Sequence, residues 1–99
     1  MRVELRYFDG CPHWQLLDAR LREAFALIGE HPSVTYELVE TPEAASRLEF
    51  RGSPSLLVDG KDPFADQAGS VGLSCRIYRT ESGPQGAPSV EQLVAVLAR

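Results

Sequence analysis

The chain of 99 residues contains no asparagine, a single lysine against nine arginines, and only two cysteines. The lysine shortage and the missing asparagine point to a GC-rich genome without naming an organism. No apolar run approaches the roughly 20 residues that a membrane-spanning helix needs. Positive charge is also short: the net charge is −4, and no basic patch is interleaved with aromatics. Nucleic acid and membrane are therefore not expected partners. The opening stretch, Met1 to Phe8, alternates charged and apolar residues and has neither the apolar core of a signal peptide nor the character of a transit peptide. The expected location is the cytoplasm. Two cysteines are too few for a secreted disulfide framework, and Cys11 and Cys75 lack the clustered spacing of a structural zinc site. No metal and no organic cofactor is expected.

Hydrophobic residues make up 43% of the chain and charged residues 24%, ordinary values for one soluble domain with a modest core, spanning residues 1–99. Arg2 to Phe8 reads as a strand, with Val3, Leu5 and Tyr7 on one face and Arg2, Glu4 and Arg6 on the other. Asp9-Gly10-Cys11-Pro12 breaks it, and Pro12 suits the first position of a helix, where its missing N–H is no loss. Leu17, Leu21, Ala24, Phe25 and Ile28 then recur at helical spacing up to Gly29. Val34 to Glu40 alternates as a second strand. Thr41-Pro42-Glu43 opens a short second helix that ends near Gly52.

Ser55 to Val58 is a third strand closed by the turn Asp59-Gly60. Lys61 to Gly72 shows no period and reads as a long loop, a length that is often functional in compact domains. Cys75 to Thr80 reads as a fourth strand, Ser82 to Pro88 as a Gly/Pro-rich turn, and Ser89 with Gln92 as the capping box of a terminal helix. The order β-α-β-α-β-β-α predicts an α/β domain of thioredoxin-like architecture, with a four-stranded mixed sheet and helices on both faces.

The stretch Tyr7-Phe8-Asp9-Gly10-Cys11-Pro12-His13-Trp14 places a thiol where the first strand gives way to a helix. Ligand sites of open α/β sheets lie at these strand ends. Free N–H groups and the positive end of the helix dipole favour a thiolate there, and such thiols titrate as low as about 3.5–7.5. Cys11 is accordingly expected to be an exposed, activated nucleophile, with His13 able to add positive charge. The alternative is a structural cysteine filling a tight turn. In Arg51-Gly52-Ser53-Pro54-Ser55, Pro54 stands where thioredoxin-like proteins carry a cis proline against the reactive cysteine. The backbone of Ser53 would then offer hydrogen bonds to a bound thiol or peptide. Pro12, His13, Trp14, Ser53 and Pro54 are thus the candidate substrate-binding residues.

The whole chain resembles the short bacterial thioredoxin-like proteins sometimes called the DF family, in which selenocysteine can replace the cysteine at the Cys11 position. The resemblance rests on Tyr7-Phe8-Asp9-Gly10-Cys11-Pro12, Gly52-Ser53-Pro54-Ser55 with Val58-Asp59-Gly60, and Gly72-Leu73-Ser74-Cys75-Arg76. A position that tolerates selenocysteine implies redox or electrophile chemistry. One departure from ordinary thioredoxins matters: their Cys-x-x-Cys is here Cys11-Pro12-His13-Trp14, so no resolving thiol stands one helical turn along. Either a low-molecular-weight thiol resolves a mixed disulfide at Cys11, or Cys75 does. The chain also bears a fainter resemblance to organomercurial lyase, whose two active cysteines stand a similar distance apart. The lyase carries a carboxylate three residues after the first cysteine, a place held here by Trp14. What that resemblance implies is soft-metal binding by two thiolates.

Hairpin geometry favours Cys75 at the far end of the sheet, in the core. Strands of five or six residues separate the two ends by roughly 17–20 Å, whereas a disulfide needs Cα atoms within about 7 Å. The loop from Lys61 to Gly72 offers the other arrangement, carrying Cys75 back over Cys11. The expected function is a monothiol redox protein: Cys11 attacks a disulfide, peroxide or other electrophile, and a low-molecular-weight thiol regenerates it. A redox partner protein is compatible with that reading. Soft-metal or organomercurial binding through Cys11 and Cys75, and a thioredoxin-fold interaction module without turnover, are the alternatives.

Overall fold

A computed structural model describes residues 1–98. The elements are β1 (Val3–Tyr7), α1 (His13–Ile28), β2 (Val34–Leu38), α2 (Pro42–Leu48), β3 (Arg51–Ser53), β4 (Ser55–Val58), a 3-10 turn (Ala65–Gln67), β5 (Gly72–Cys75), β6 (Tyr78–Thr80), β7 (Gly83–Gln85) and α3 (Val90–Leu97). The class is mixed α/β. β1 is the middle strand of a three-stranded sheet, parallel to β2 and antiparallel to β4. Its register sets Leu5 opposite Leu56 and Val3 opposite Val58, which gives the sheet one apolar face.

α1 and α3 cover that face. Leu17, Leu21, Ala24 and Phe25 of α1 pack with Leu93 and Leu97 of α3 and with Val3, Leu5 and Leu56 of the sheet in the main core. Most helix ends follow local signals; the exceptions are Pro12, which is the N-cap of α1 rather than its first residue, and the end of α2, which stops at Leu48 with a left-handed Glu49 instead of running on to Gly52. Gly29, in the left-handed conformation at φ 72°, returns its N–H to Phe25 O at the end of α1. The Ser89 hydroxyl accepts from Gln92 N, and the Gln92 side chain accepts from Ser89 N, completing the capping box of α3. Thr41 caps α2 by accepting from Ala44 N, with Pro42 at the first helical position.

The other face is different. Glu4 and Arg6 of β1 and Ser55 and Leu57 of β4 point into a cavity of about 440 Å³, walled further by Leu48 and Glu49 at the end of α2. α2 itself packs into a small separate cluster of Val39, Ala45 and Phe50, flanked by Phe8. Helices thus lie on both sides of the sheet, but only one side is sealed by a large apolar core.

The expected fourth strand is corrected by the structure. Cys75 to Thr80 is not one strand: β5 ends at Cys75, and β6 begins at Tyr78. β5 pairs parallel with β3, and β6 pairs with β7, which forms inside the stretch read as a turn. The sheet therefore has three strands, accompanied by two separate two-stranded pairs. The physical cause lies at Arg76, whose buried side chain turns inward and takes the chain out of strand geometry between the two segments. Among the described residues, no helix is long and apolar enough to cross a membrane.

Candidate functional site

Cys11 lies between β1 and α1, one residue before the Pro12 N-cap, and its N–H bonds back to Phe8 O at 3.3 Å. Contrary to the expected exposed thiol, Cys11 is buried, with only 2% of its surface accessible. Its Sγ donates to the Ser53 carbonyl at 3.5 Å. The Ser53–Pro54 bond is cis, as the local motif led us to expect. Ser53 and Pro54 are both fully buried beneath the thiol turn, and Phe8 N donates to Ser53 Oγ at 3.3 Å.

Cys75 is the second correction. It is neither in the core nor at the far end of the sheet. Cys75 is exposed, and it stands opposite Ser53 in the β3–β5 pairing, beside the residue that holds Cys11. The hairpin argument fails because β5 does not pair with β4 at all. The loop from Lys61 returns the chain to the end of the sheet that carries Cys11, where it runs parallel to β3. Both cysteines are free, and Ser53 links them: its carbonyl accepts the Cys11 thiol, and Cys75 stands opposite it. The Cys75 thiol is raised above its ordinary value. Partial burial contributes most, followed by repulsion from a Cys11 thiolate and the hydrogen bond that Cys75 donates to it.

The other expected site residues divide. Pro12 is exposed beside Cys11. His13 packs its ring on Gly86: a Cβ at that glycine would fall 2.2 Å from the imidazole Cγ, so no larger residue fits there. Trp14 turns the other way and stacks on Tyr7 at 4.5 Å between ring centroids, with Tyr36 edge-on at 6.3 Å. The Ser53 carbonyl, expected to serve a bound thiol or peptide, is already engaged. It accepts the Cys11 thiol and also Arg76 N–H at 2.9 Å. β5 occupies that edge of β3.

The residues around Arg76 form a polar cluster that residue patterning did not single out. The Arg76 side chain is 2% exposed and lies behind Cys75. Nη1 donates to Asp62 Oδ2 at 2.6 Å and to Ser55 Oγ at 3.3 Å, and Nη2 donates to Phe64 O at 2.7 Å. The guanidinium carbon sits 4.6 Å above the centre of the Tyr78 ring. Tyr78 in turn donates its hydroxyl to Pro54 O, and burial pushes that hydroxyl far above its ordinary pKa, so it remains a donor. Gly52 makes the close approach possible. Its φ is +111°, and a Cβ there would stand 3.0 Å from Arg76 Cβ. The run Gly72-Leu73-Ser74-Cys75-Arg76 was the available signal, but a long-range partner for an arginine leaves no trace in periodicity.

Among the described residues, no group of three or more His, Cys, Asp or Glu side chains converges to hold a metal ion. Comparison of the chain with protein-family models, with curated proteins and with solved structures finds no match.

Proposed function

We propose that the protein is a thioredoxin-like thiol–disulfide redox protein in which Cys11 attacks and Cys75, rather than a second cysteine in the same helix, resolves. The observation that carries this reading is the β3–β5 pairing, which sets Cys75 opposite Ser53, the residue whose carbonyl accepts the Cys11 thiol. The cis Ser53–Pro54 bond and a cysteine at the head of the first helix support the kinship with the short bacterial thioredoxin-like proteins. In the first step, the Cys11 thiolate attacks a disulfide RSSR, forming Cys11–S–S–R and releasing RS⁻. In the second, Cys75 loses its proton and attacks the Cys11 sulfur, forming the Cys11–Cys75 disulfide and releasing a second RS⁻. Two electrons pass from the protein to the substrate, and two equivalents of a low-molecular-weight thiol, or one partner dithiol, return them. The buried position of Cys11 calls for a small disulfide or a brief displacement of Cys75.

Incubation of the reduced protein with glutathione disulfide, followed by non-reducing peptide mapping, tests this order. The wild type should end as the internal Cys11–Cys75 disulfide. Cys75→Ser should stop at the Cys11–glutathione adduct, and Cys11→Ser should form no internal disulfide. A wild type that stops at the Cys11 adduct would return resolution to an external thiol, the monothiol route.

The adjoining thiols also favour a second reading, a two-coordinate site for a soft cation. Titration with Ag⁺, read by loss of both free thiols at one equivalent in the wild type where independent thiols would need two, tests that reading separately.

A further inference from the structure

Arg76, next to Cys75, is anchored far more firmly than the strand that precedes it. β5 has little burial to fix it: Leu73, Ser74 and Cys75 are all exposed. A strand of four exposed or half-exposed residues with a single three-residue partner is held weakly on its own. Its outgoing end is held by something else. Arg76 N–H bonds the same Ser53 carbonyl that accepts the Cys11 thiol. The Arg76 side chain drives inward, where Asp62, Ser55, the Phe64 carbonyl and the Tyr78 face take four sides of the guanidinium. Asp62 is itself fixed, since its other oxygen accepts Phe64 N at 2.8 Å.

We infer that Arg76 is a positioning residue for the thiol pair: its buried guanidinium holds Cys75 in place over Cys11. The inference rests on the dithiol reading above and adds what makes the pair work. Cys75 is exposed opposite Ser53 while Cys11 is buried against the Ser53 carbonyl, so Cys75 lies on the solvent side of the pair. The anchor then does two things. It keeps Cys75 at high effective concentration for attack on the Cys11 sulfur, and it limits the access of outside reagents to Cys11.

These two effects give opposite readouts. The internal disulfide should become easier to reduce when the anchor is removed, while Cys11 should be alkylated faster. Cys75, exposed already and freed from the charge of a Cys11 thiolate, should show a lower alkylation midpoint. A merely destabilised fold would instead speed Cys11 only in proportion to the stability lost in urea. The test uses Arg76→Met, Arg76→Lys and Asp62→Asn in the full chain. It measures the equilibrium of the Cys11–Cys75 disulfide against glutathione and the iodoacetamide rate of each cysteine. Arg76→Met should lower the equilibrium constant by about tenfold or more, the scale on which lost orientation acts, and Arg76→Lys should recover part of the loss. Asp62→Asn, at the outer and partly exposed end of the anchor, should shift both readouts in the same directions by a smaller factor and decides the matter if Arg76→Met loses its far-ultraviolet dichroism. An unchanged equilibrium and unchanged Cys11 alkylation in a folded Arg76→Met or Asp62→Asn protein would overturn the inference. Absence of the internal disulfide in the wild type would instead overturn the dithiol reading itself.

Discussion

Cys11 stands at the head of a sixteen-residue helix whose inner stripe is sunk in the main core, whereas Cys75 ends a four-residue strand with three of its residues exposed. The first thiol is placed by apolar packing. Leu17 and Leu21 of α1, both fully buried, set the helix on Val3, Leu5 and Leu56, and the thiol turn follows from the helix and β1 together. The second is placed by polar contacts from Arg76 to Asp62, Ser55 and Phe64. Apolar burial is non-directional and holds an element as a whole, while a buried guanidinium fixes one residue in one orientation. The contrast suits a pair in which packing places one sulfur and directed polar contacts set the other beside it.

The widest separation between the two regions should appear in stability. Leu21→Ala empties a fully buried site of the main core and should cost about 2–5 kcal/mol. Leu73→Ala removes an exposed side chain two residues before Cys75 and should stay within about 0.5 kcal/mol. Urea unfolding of the two variants measures both values. Equal losses would break the comparison, because β5 would then be held by packing after all.

A smaller effect sharpens it. Ser89 caps α3 in a two-bond box, and α3 packs on the helix that carries Cys11. Thr41 caps α2 with one side-chain bond, and α2 lies over the smaller cluster. Ser89→Ala should therefore cost about 1 kcal/mol or somewhat more, and Thr41→Ala less than that, within the usual range for lost caps. Thermal unfolding of the two variants gives the order, and a larger loss for Thr41→Ala would reverse the ranking of the two sides.

The same division separates what was legible in the sequence from what was not. The stripe from Leu17 to Ile28, the caps at Thr41 and Ser89 and the alternation in β1 are local patterns, and the structure follows them; β2 forms where expected, but Tyr36 and Leu38 of its apolar row are exposed. The thiol turn was readable for the same reason, whereas the cis bond at Pro54 was expected from the place of that proline in a thioredoxin-like element order. From Lys61 to Gln85 the chain is governed by contacts between distant residues: Arg51 Nη1 with Gly69 O, Arg76 with Asp62, Arg79 N with Gln67, and Tyr78 with Pro54. None of these has a period. The pattern Cys75-Arg76-Ile77-Tyr78 alternates well enough to pass for a strand, yet Arg76 is inward and buried while Ile77 is outward and exposed. That inversion of polarity separated β5 from β6 and moved Cys75 from the far end of the sheet to the thiol turn.

The smallest effect concerns the titration of Cys75. Its value is raised by partial burial first, then by the charge of a Cys11 thiolate and by the hydrogen bond given to it. Cys11→Ser removes the thiolate and with it the second and third causes, leaving burial in place. The alkylation midpoint of Cys75 should therefore fall in Cys11→Ser, toward the ordinary thiol value of about 8.5 without reaching it. The sign carries over to folding. A thiol raised in the folded state contributes stability below its unfolded pKa, and that contribution is lost as pH rises through the folded value. In the wild type the loss should extend to higher pH than in Cys11→Ser, and it should be slight in both because Cys75 is exposed. The same logic bears on the second redox step, for in the mixed disulfide Cys11 carries no charge, so Cys75 gives up its proton more readily once Cys11 has reacted. Iodoacetamide labelling of Cys75 across pH, followed by mass spectrometry in the wild type and in Cys11→Ser, reads the shift directly. Identical midpoints would mean that the two sulfurs do not sense each other.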